Sequence, residues 1–271
     1  APVLLDASRP GSFPALVLDF GCEVVGYPEV DVRGSAGGVL SLWYGESLDL
    51  HRTDTLVMSG GEDRFRPYHL RAFRYLKLVA NNSLEPVEIR SVRMRLFLYP
   101  YRPGGTFRSS DPLLDRIWDT SVYTVRMNSL EHFVDCPLRE QAQWLADARV
   151  MAMADYWALG SPAIVRKAIR QFIAEQDETG FLPPTGPQPT RMSNLDFPCH
   201  FLLMVWEYYF HTADRALLEE VEAPLGRLMD LYAGWVDEDG LLVDRDRKGV
   251  FIDWAPLDAR GQVTAVNCLY H

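Results

Sequence analysis

Between residues 135 and 147 the chain gathers three carboxylates, a guanidinium and an indole: Asp135, Arg139, Glu140, Trp144 and Asp147. Pro137 suits the first position of a helix, where its missing N–H costs nothing, and the spacing predicts a helix over Arg139–Leu159. On that helix Glu140, Trp144 and Asp147 stand at i, i+4 and i+7 and share one face, with Asp135 and Arg139 at its entrance. Carboxylates hold hydroxyls and move protons, and an indole offers a flat apolar wall to a pyranose face, so the set reads as a sugar subsite. The same residues also fit a plainer role. Acids in a first turn are favoured by the helix dipole, and a tryptophan on an apolar face is usually core. Spacing alone leaves both readings open.

The elements that must position this set change character along the chain. From about residue 15 to 100, Ala15–Phe20, Glu29–Arg33, Val39–Tyr44, Ala72–Val79 and Val87–Tyr99 are β-branched or aromatic runs separated by turn clusters such as 34–38 and 80–83. In the last run Val92, Met94, Leu96 and Leu98 alternate with Arg93 and Arg95, the pattern of a half-buried strand. Short strands at this spacing predict an all-β sandwich. The glycine cluster at 34–38 opens no helix and is a poor phosphate loop.

Residues 100–105 break the pattern, and the remainder is helical. Ser110-Asp111-Pro112 opens a helix to about Asn128; further helices are expected over Pro162–Gln176, Asp196–His211 and Arg215–Val236, the last two with apolar residues at spacings of three and four. Asp196 reads as an N-cap rather than a site residue. Asp177-Glu178-Thr179-Gly180-Phe181-Leu182 and Asp237-Glu238-Asp239-Gly240-Leu241-Leu242 both follow a helix end, each a stop with glycine beyond it and an apolar return. Repeated helix–return units of this length predict a toroid of helical hairpins.

Composition excludes several classes. The 271 residues carry a formal net charge of −10, which argues against nucleic acid, because phosphate neutralisation needs clustered Lys and Arg. No apolar stretch approaches the length of a membrane span, and the first residues show no basic region followed by an apolar run. Cys22, Cys136, Cys199 and Cys268 form no close pair, so reduced thiols and a cytoplasmic location are expected. Cys136 has no neighbouring base in sequence and reads as packing. The six histidines show no metal-binding spacing, there is no Cys-x-x-Cys pair, and no Gly-x-Ser-x-Gly elbow is present. Neither a metal nor a cofactor is expected, and paired carboxylates remain as the chemistry.

Asp135-Cys136-Pro137-Leu138-Arg139-Glu140, followed by Trp144 and Asp147, resembles the signature of the bacterial α-L-rhamnosidases, glycoside hydrolase family 78. The common form, Asp-Cys-Pro-Gln-Arg-Asp-Glu-Arg-Leu-Gly-Trp-Thr-Gly-Asp, is one residue longer between its arginine and tryptophan, and Glu140 aligns with its glutamate. Leu18-Asp19-Phe20-Gly21, Val25-Gly26, Gly45-Glu46-Ser47-Leu48, Phe73-Arg74-Tyr75-Leu76 and the run from Phe107 to Ile117 resemble the family in order and spacing.

The resemblance implies a multidomain chain, β then α: a β-sandwich over residues 1–105, then the N-terminal part of an (α/α)6 helical-hairpin toroid over 106–271. Six hairpins need roughly 300–400 residues. Only about 165 follow the sandwich here, ending a few residues into another apolar run. The expectation is a catalytic domain cut inside a helix, inactive alone, whose exposed apolar faces promote homo-oligomers.

The implied reaction is hydrolysis of terminal α-L-rhamnosides with inversion, which needs an acid and a base on opposite sides of the sugar. The resemblance makes Glu140 the general acid, raised in pKa by Asp135 and Asp147 and opposed by Arg139. Asp135, Arg139 and Asp147 would hold hydroxyls and Trp144 would pack on the ring. Glu140 and Asp147 on one helix wall do not sandwich a sugar, and the family's base, a late glutamate, has no match in this chain. Asp253-Trp254, in an Ile-Asp-Trp-Ala-Pro loop, is a further substrate-binding pair; an indole anchoring a loop is the plainer alternative. Two other functions stay open: a non-catalytic carbohydrate-recognition or structural fragment, and a six-hairpin glycosidase for another sugar.

Overall fold

The computed structural model describes residues 2–271 apart from 103, 189, 191 and 247. The chain divides into two compact units, one of residues 1–98 with 137–140, the other of 99–136 with 141–271. Among the described residues, no helix is long and apolar enough to cross a membrane.

The first unit is an antiparallel β-sandwich of seven strands: β1 (Val3–Leu5), β2 (Ala15–Arg33), β3 (Val39–Gly45), β4 (Arg52–Val57), β5 (Glu62–Phe65), β6 (Arg71–Asn81) and β7 (Val87–Leu96). The two runs expected at Ala15–Phe20 and Glu29–Arg33 are one 19-residue strand. Its first part pairs with β6, the register shifts between Asp19 and Val24, and its last part pairs with β7 and β5. Gly26 is the crossover, opposite both Arg71 and Leu96. At φ +152° a Cβ there would sit 2.1 Å from the Arg95 carbonyl oxygen, so only glycine fits. A glycine inside a strand marks a bulge as readily as a turn.

Sharing β2 makes two layers, one of β4, β3, β6 and the first part of β2, the other of β1, β7, β5 and its last part. Side chains of both enter one core, with Val30, Val32 and Ile89 from one layer and Leu40, Tyr44, Phe73 and Leu78 from the other. β4 and β5 carry Arg52, Asp54, Glu62 and Arg64 and escaped the apolar pattern; charged short strands suit exposed sheet edges.

The second unit contains α1 (Pro112–Met127), α2 (Leu145–Ala158), α3 (Pro162–Ala174), α4 (Phe197–Thr212), α5 (Arg215–Ala233) and α6 (Thr264–Tyr270). α1 and α5 begin as their sequences direct: Asp111 accepts from the Leu113 N–H at 2.8 Å and Asp214 from the Leu217 N–H at 3.1 Å. α2 packs on α4 and α4 on α6, while α1 lies against α2, α3 against α2 and α4, and α5 against α3 and α4. The even-numbered helices therefore form one row and the odd-numbered helices flank it, the arrangement of successive helical hairpins. The core is filled by Ile169 and Phe172 of α3, Phe201 and Met204 of α4, and Val221, Leu228 and Tyr232 of α5.

The two echoed segments are the same turn. Asp177 accepts through Oδ1 from the N–H groups of Thr179 and Phe181, and Asp237 through Oδ1 from those of Asp239 and Leu241. The Asp177 N–H donates to the Phe181 carbonyl at 3.0 Å and the Asp237 N–H to the Leu241 carbonyl at 2.9 Å. Gly180 and Gly240 both take left-handed φ, +94° and +78°. Each turn ends an outer helix region and sends the chain back toward the next helix of the inner row.

Candidate active site

The motif helix starts later than its spacing predicts. α2 begins at Leu145, with Trp144 as its N-cap, so Pro137 opens no helix and Glu140, Trp144 and Asp147 share no helical face. The reason is a closed loop. The Asp135 N–H donates to the Ala142 carbonyl at 2.9 Å, and the Ala142 N–H donates back to Asp135 Oδ1 at 3.0 Å. Gln141, at φ +54°, turns the chain inside this ring, and its N–H donates to the Cys136 carbonyl at 3.1 Å. Residues 143–145 then run extended against 184–186: Leu145 donates to Pro184, Gly186 donates to Gln143, and Trp144 is bridged to Thr185. Pairing with a segment forty residues on delays the helix, and no local pattern announces it.

Each motif residue has a distinct setting. Asp135 is half-buried, and its Oδ2 accepts from the Cys136 thiol at 3.0 Å, so the carboxylate is held at both oxygens. Cys136 thus serves the aspartate directly rather than filling space. Arg139 and Glu140 are exposed in the turn 137–140, and the Arg139 carbonyl accepts from Arg52 of β4 at 3.4 Å. Asp147 is exposed in the first turn of α2, where the helix dipole favours an anion. Asp135 and Asp147 line one hollow of about 360 Å³ with Asn128 at the C-cap of α1, Val150 and Met151 of α2 and His200 of α4. That lies within the about 300–1,000 Å³ typical of small-molecule sites.

Trp144 is half-buried and begins a line of rings. It meets Phe197 edge-on with centroids 5.8 Å apart; Phe197 meets Phe251 at 6.0 Å, and Phe251 meets Trp254 at 5.1 Å. Asp253-Trp254 is therefore joined to the motif through Phe197. Trp254 is 91% exposed, and Asp253 Oδ1 accepts from the Trp254 N–H at 2.6 Å. An indole so open, at the end of an anchored line of rings, is available to stack on a ligand.

The residue that anchors this loop is Asp196, which holds the N-cap position of α4 as its sequence suggests but uses its side chain otherwise. It makes no side-chain cap to α4. Its buried carboxylate instead accepts from the Phe251 N–H at 3.2 Å and the Ile252 N–H at 3.3 Å. Ile252 sits at φ +55°, a conformation that costs a β-branched residue of order 1–3 kcal/mol and clusters at ligand sites.

Sequence reasoning also missed His200, Arg149 and Glu207. Arg149 of α2 grips Glu207 of α4 with Nε at 3.1 and 3.0 Å from the two carboxylate oxygens and Nη2 at 2.5 Å from Oε1. Arg149 Nη1 lies 3.1 Å from His200 Nδ1. Burial first, and then the Arg149 charge, lower the His200 pKa below its ordinary value. A lone histidine carries no spacing signal; the only clue was its place four residues after Asp196 at the head of an apolar helix.

Residues 102–271 match the bacterial α-L-rhamnosidase six-hairpin glycosidase domain, and residues 12–95 match the bacterial α-L-rhamnosidase concanavalin-like domain. The chain belongs to the bacterial α-L-rhamnosidase family. Its fold agrees with that of a glycoside hydrolase family 78 rhamnosidase from Bacillus sp. GL1 at a TM-score of 0.93 and 27% identity, covering 99% of this chain and 29% of that one. A rhamnosidase from Klebsiella oxytoca, solved with rhamnose bound, shares the fold at a TM-score of 0.80 and 21% identity, over 94% of this chain and 55% of that one. An α-L-rhamnosidase of Formosa agariphila is 21% identical over 291 residues, 95% of this chain and 30% of its own length. The chain thus spans less than a third of the length of the curated family members it matches.

Proposed function

We propose that this chain serves the hydrolysis of terminal α-L-rhamnosides, with inversion at the anomeric carbon. The observation that carries the reading is the shared hollow of Asp135 and Asp147 at the start of α2, in a chain whose 27%-identical structural relative is a family 78 rhamnosidase. The two carboxylates hold sugar hydroxyls, Asp135 with its geometry set by Ala142 and Cys136. Arg139 assists them. Glu140, exposed on the turn inside the Asp135–Ala142 ring, is the general acid that protonates the departing glycosidic oxygen. The half-buried Trp144 gives a ring edge and the open Trp254 a ring face, with Asp253 beside it. An inverting hydrolase needs a second carboxylate to activate water from the opposite side of the sugar. None of these residues is assigned that part.

The test is release of p-nitrophenol from p-nitrophenyl α-L-rhamnopyranoside by the product of the entire gene, by this chain and by the Glu140→Gln variant of each. Loss of at least a hundredfold in kcat on Glu140→Gln, with L-rhamnose affinity kept, supports the assignment. Unchanged kcat removes Glu140 from the chemistry. No hydrolysis in any form, with L-rhamnose still bound, turns the reading to carbohydrate recognition.

A further inference from the structure

We infer that His200 is a neutral hydrogen-bond donor, locked in the Nε2–H tautomer by Arg149, that offers Nε2–H to an oxygen of the sugar in the Asp135–Asp147 hollow. The sugar contact rests on the rhamnosidase reading; the tautomer does not.

Three observations lead there. A guanidinium has donors and no acceptor, so the 3.1 Å contact between Arg149 Nη1 and His200 Nδ1 is a bond in which Nδ1 accepts. A ring nitrogen that accepts carries no proton, which leaves the proton on Nε2. Arg149 cannot swing away, since three of its contacts to the Glu207 carboxylate fall between 2.5 and 3.1 Å, and that pair is largely buried. Lastly, His200 forms part of the wall of the hollow that Asp135 and Asp147 also line. The remaining donor of this wall residue is the one we assign to the ligand.

The surroundings keep the ring neutral. Arg149 faces it from α2, Glu207 shares its helix, Asp196 stands at that helix's N-cap position, and Asp135 and Asp147 line the same hollow. Protonating Nδ1 would place an N–H against a guanidinium N–H and would break the bond that Nδ1 accepts from Arg149. The carboxylates pull the other way, but burial and Arg149 outweigh Asp196 and Glu207. Arg149 is a positioning residue that touches His200, and Glu207 holds Arg149 in place; together they fix which hydrogen-bonding group His200 presents. Carboxylate acceptors and an imidazole donor lining one hollow suit a ligand hydroxyl, which donates to one and accepts from the other.

The experiment uses the chain with ¹⁵N-labelled histidine. Long-range ¹H–¹⁵N correlations between pH 5 and 8 should show one His200 signal pair, with Nε2 protonated and Nδ1 bare throughout. L-rhamnose titrations are then run on the parent, His200→Gln and His200→Leu. His200→Gln keeps a donor near the Nε2 position and should bind within about twofold of the parent; His200→Leu should lose about three- to tenfold, the worth of one neutral hydrogen bond. A titrating imidazolium in this range, or an Nδ1–H tautomer, overturns the lock. Equal affinity in the parent and His200→Leu overturns the sugar contact. A parent that binds no L-rhamnose counts against the rhamnosidase reading and removes the contact with it, while the spectra of the free protein still decide the tautomer.

Discussion

Asp196 and Ile252 meet although 56 residues separate them: the buried Asp196 carboxylate accepts the Ile252 N–H at 3.3 Å and so holds a β-branched residue in left-handed backbone. The anchor is electrostatic on one side and strained on the other. Asp196→Ala leaves two loop N–H groups without their acceptor and is expected to cost about 1–3 kcal/mol in urea unfolding. Asp196→Asn keeps one acceptor oxygen and should lie between. Steady-state anisotropy of a chain in which Trp254 is the only tryptophan retained should fall in the alanine variant as the loop loosens.

The second expectation concerns the ring around Gln141. Asp135→Ala removes the Oδ1 acceptor of the Ala142 N–H, one of the two bonds that close the loop. Arg139 is exposed there, and trypsin should cut after it several times faster in the variant than in the parent. Equal cutting rates would show that the backbone bond from Asp135 to Ala142 suffices.

Much of this was legible in the sequence, and the exceptions share one cause. The helices follow apolar spacing that local sequence records, as with Leu217, Val221 and Leu228 on α5. The paired turns at Asp177 and Asp237 are also local, because side chain, glycine and apolar return lie within six residues. What escaped depends on distant partners. Trp144 leaves the helical pattern because Thr185 pairs with it, and the Asp196 side chain does not cap α4 because it binds the loop at 251–252. β2 read as two strands because Gly21 and Gly26 look like turns until β6 and β7 are seen on either side. At the site, Asp135 and Asp147 were marked by their motif, whereas His200 acquires meaning only beside Arg149.

Asp155 of α2 should make stability depend on pH. It is fully buried, and burial raises its pKa from 3.8 to about 6, against the bond that Oδ2 accepts from the Ser161 N–H. Between these values the folded chain holds a proton that the unfolded chain has released. Its contribution is therefore largest below pH 4, is lost as pH rises to about 6, and stays lost above. A shift of this size corresponds to about 3 kcal/mol. Asp155→Asn, neutral at every pH, should unfold at a higher urea concentration than the parent at pH 7.5. The gap should shrink by pH 4.5; a gap independent of pH would mean that Asp155 does not titrate in this window.

The two equivalent glycines should respond differently to the same change. Both Gly180→Ala and Gly240→Ala force a Cβ into left-handed backbone, at about 1–2 kcal/mol. At Gly240 no atom lies within 4 Å of the new carbon, but at Gly180 it would stand 2.7 Å from the Arg227 carbonyl oxygen. Thermal unfolding should show Gly180→Ala with at least twice the loss of Gly240→Ala. Equal losses would mean that α5 moves aside freely.

The shared strand β2 also sets the order in which the sandwich can be made. Its first part waits for β6 and its last part for β7, and Val3 of β1 waits for Ile89. The layer of β4, β3, β6 and the first part of β2 has all its strands once residue 81 has left the ribosome, but the layer that covers it waits for residues near 96, so an apolar sheet face must be kept from sticking elsewhere meanwhile. Pairings this far apart in sequence are slow to form. The hairpins that follow close over neighbours, and a heat-shocked cell would be expected to find its aggregation-prone intermediate in the strands rather than in the helices.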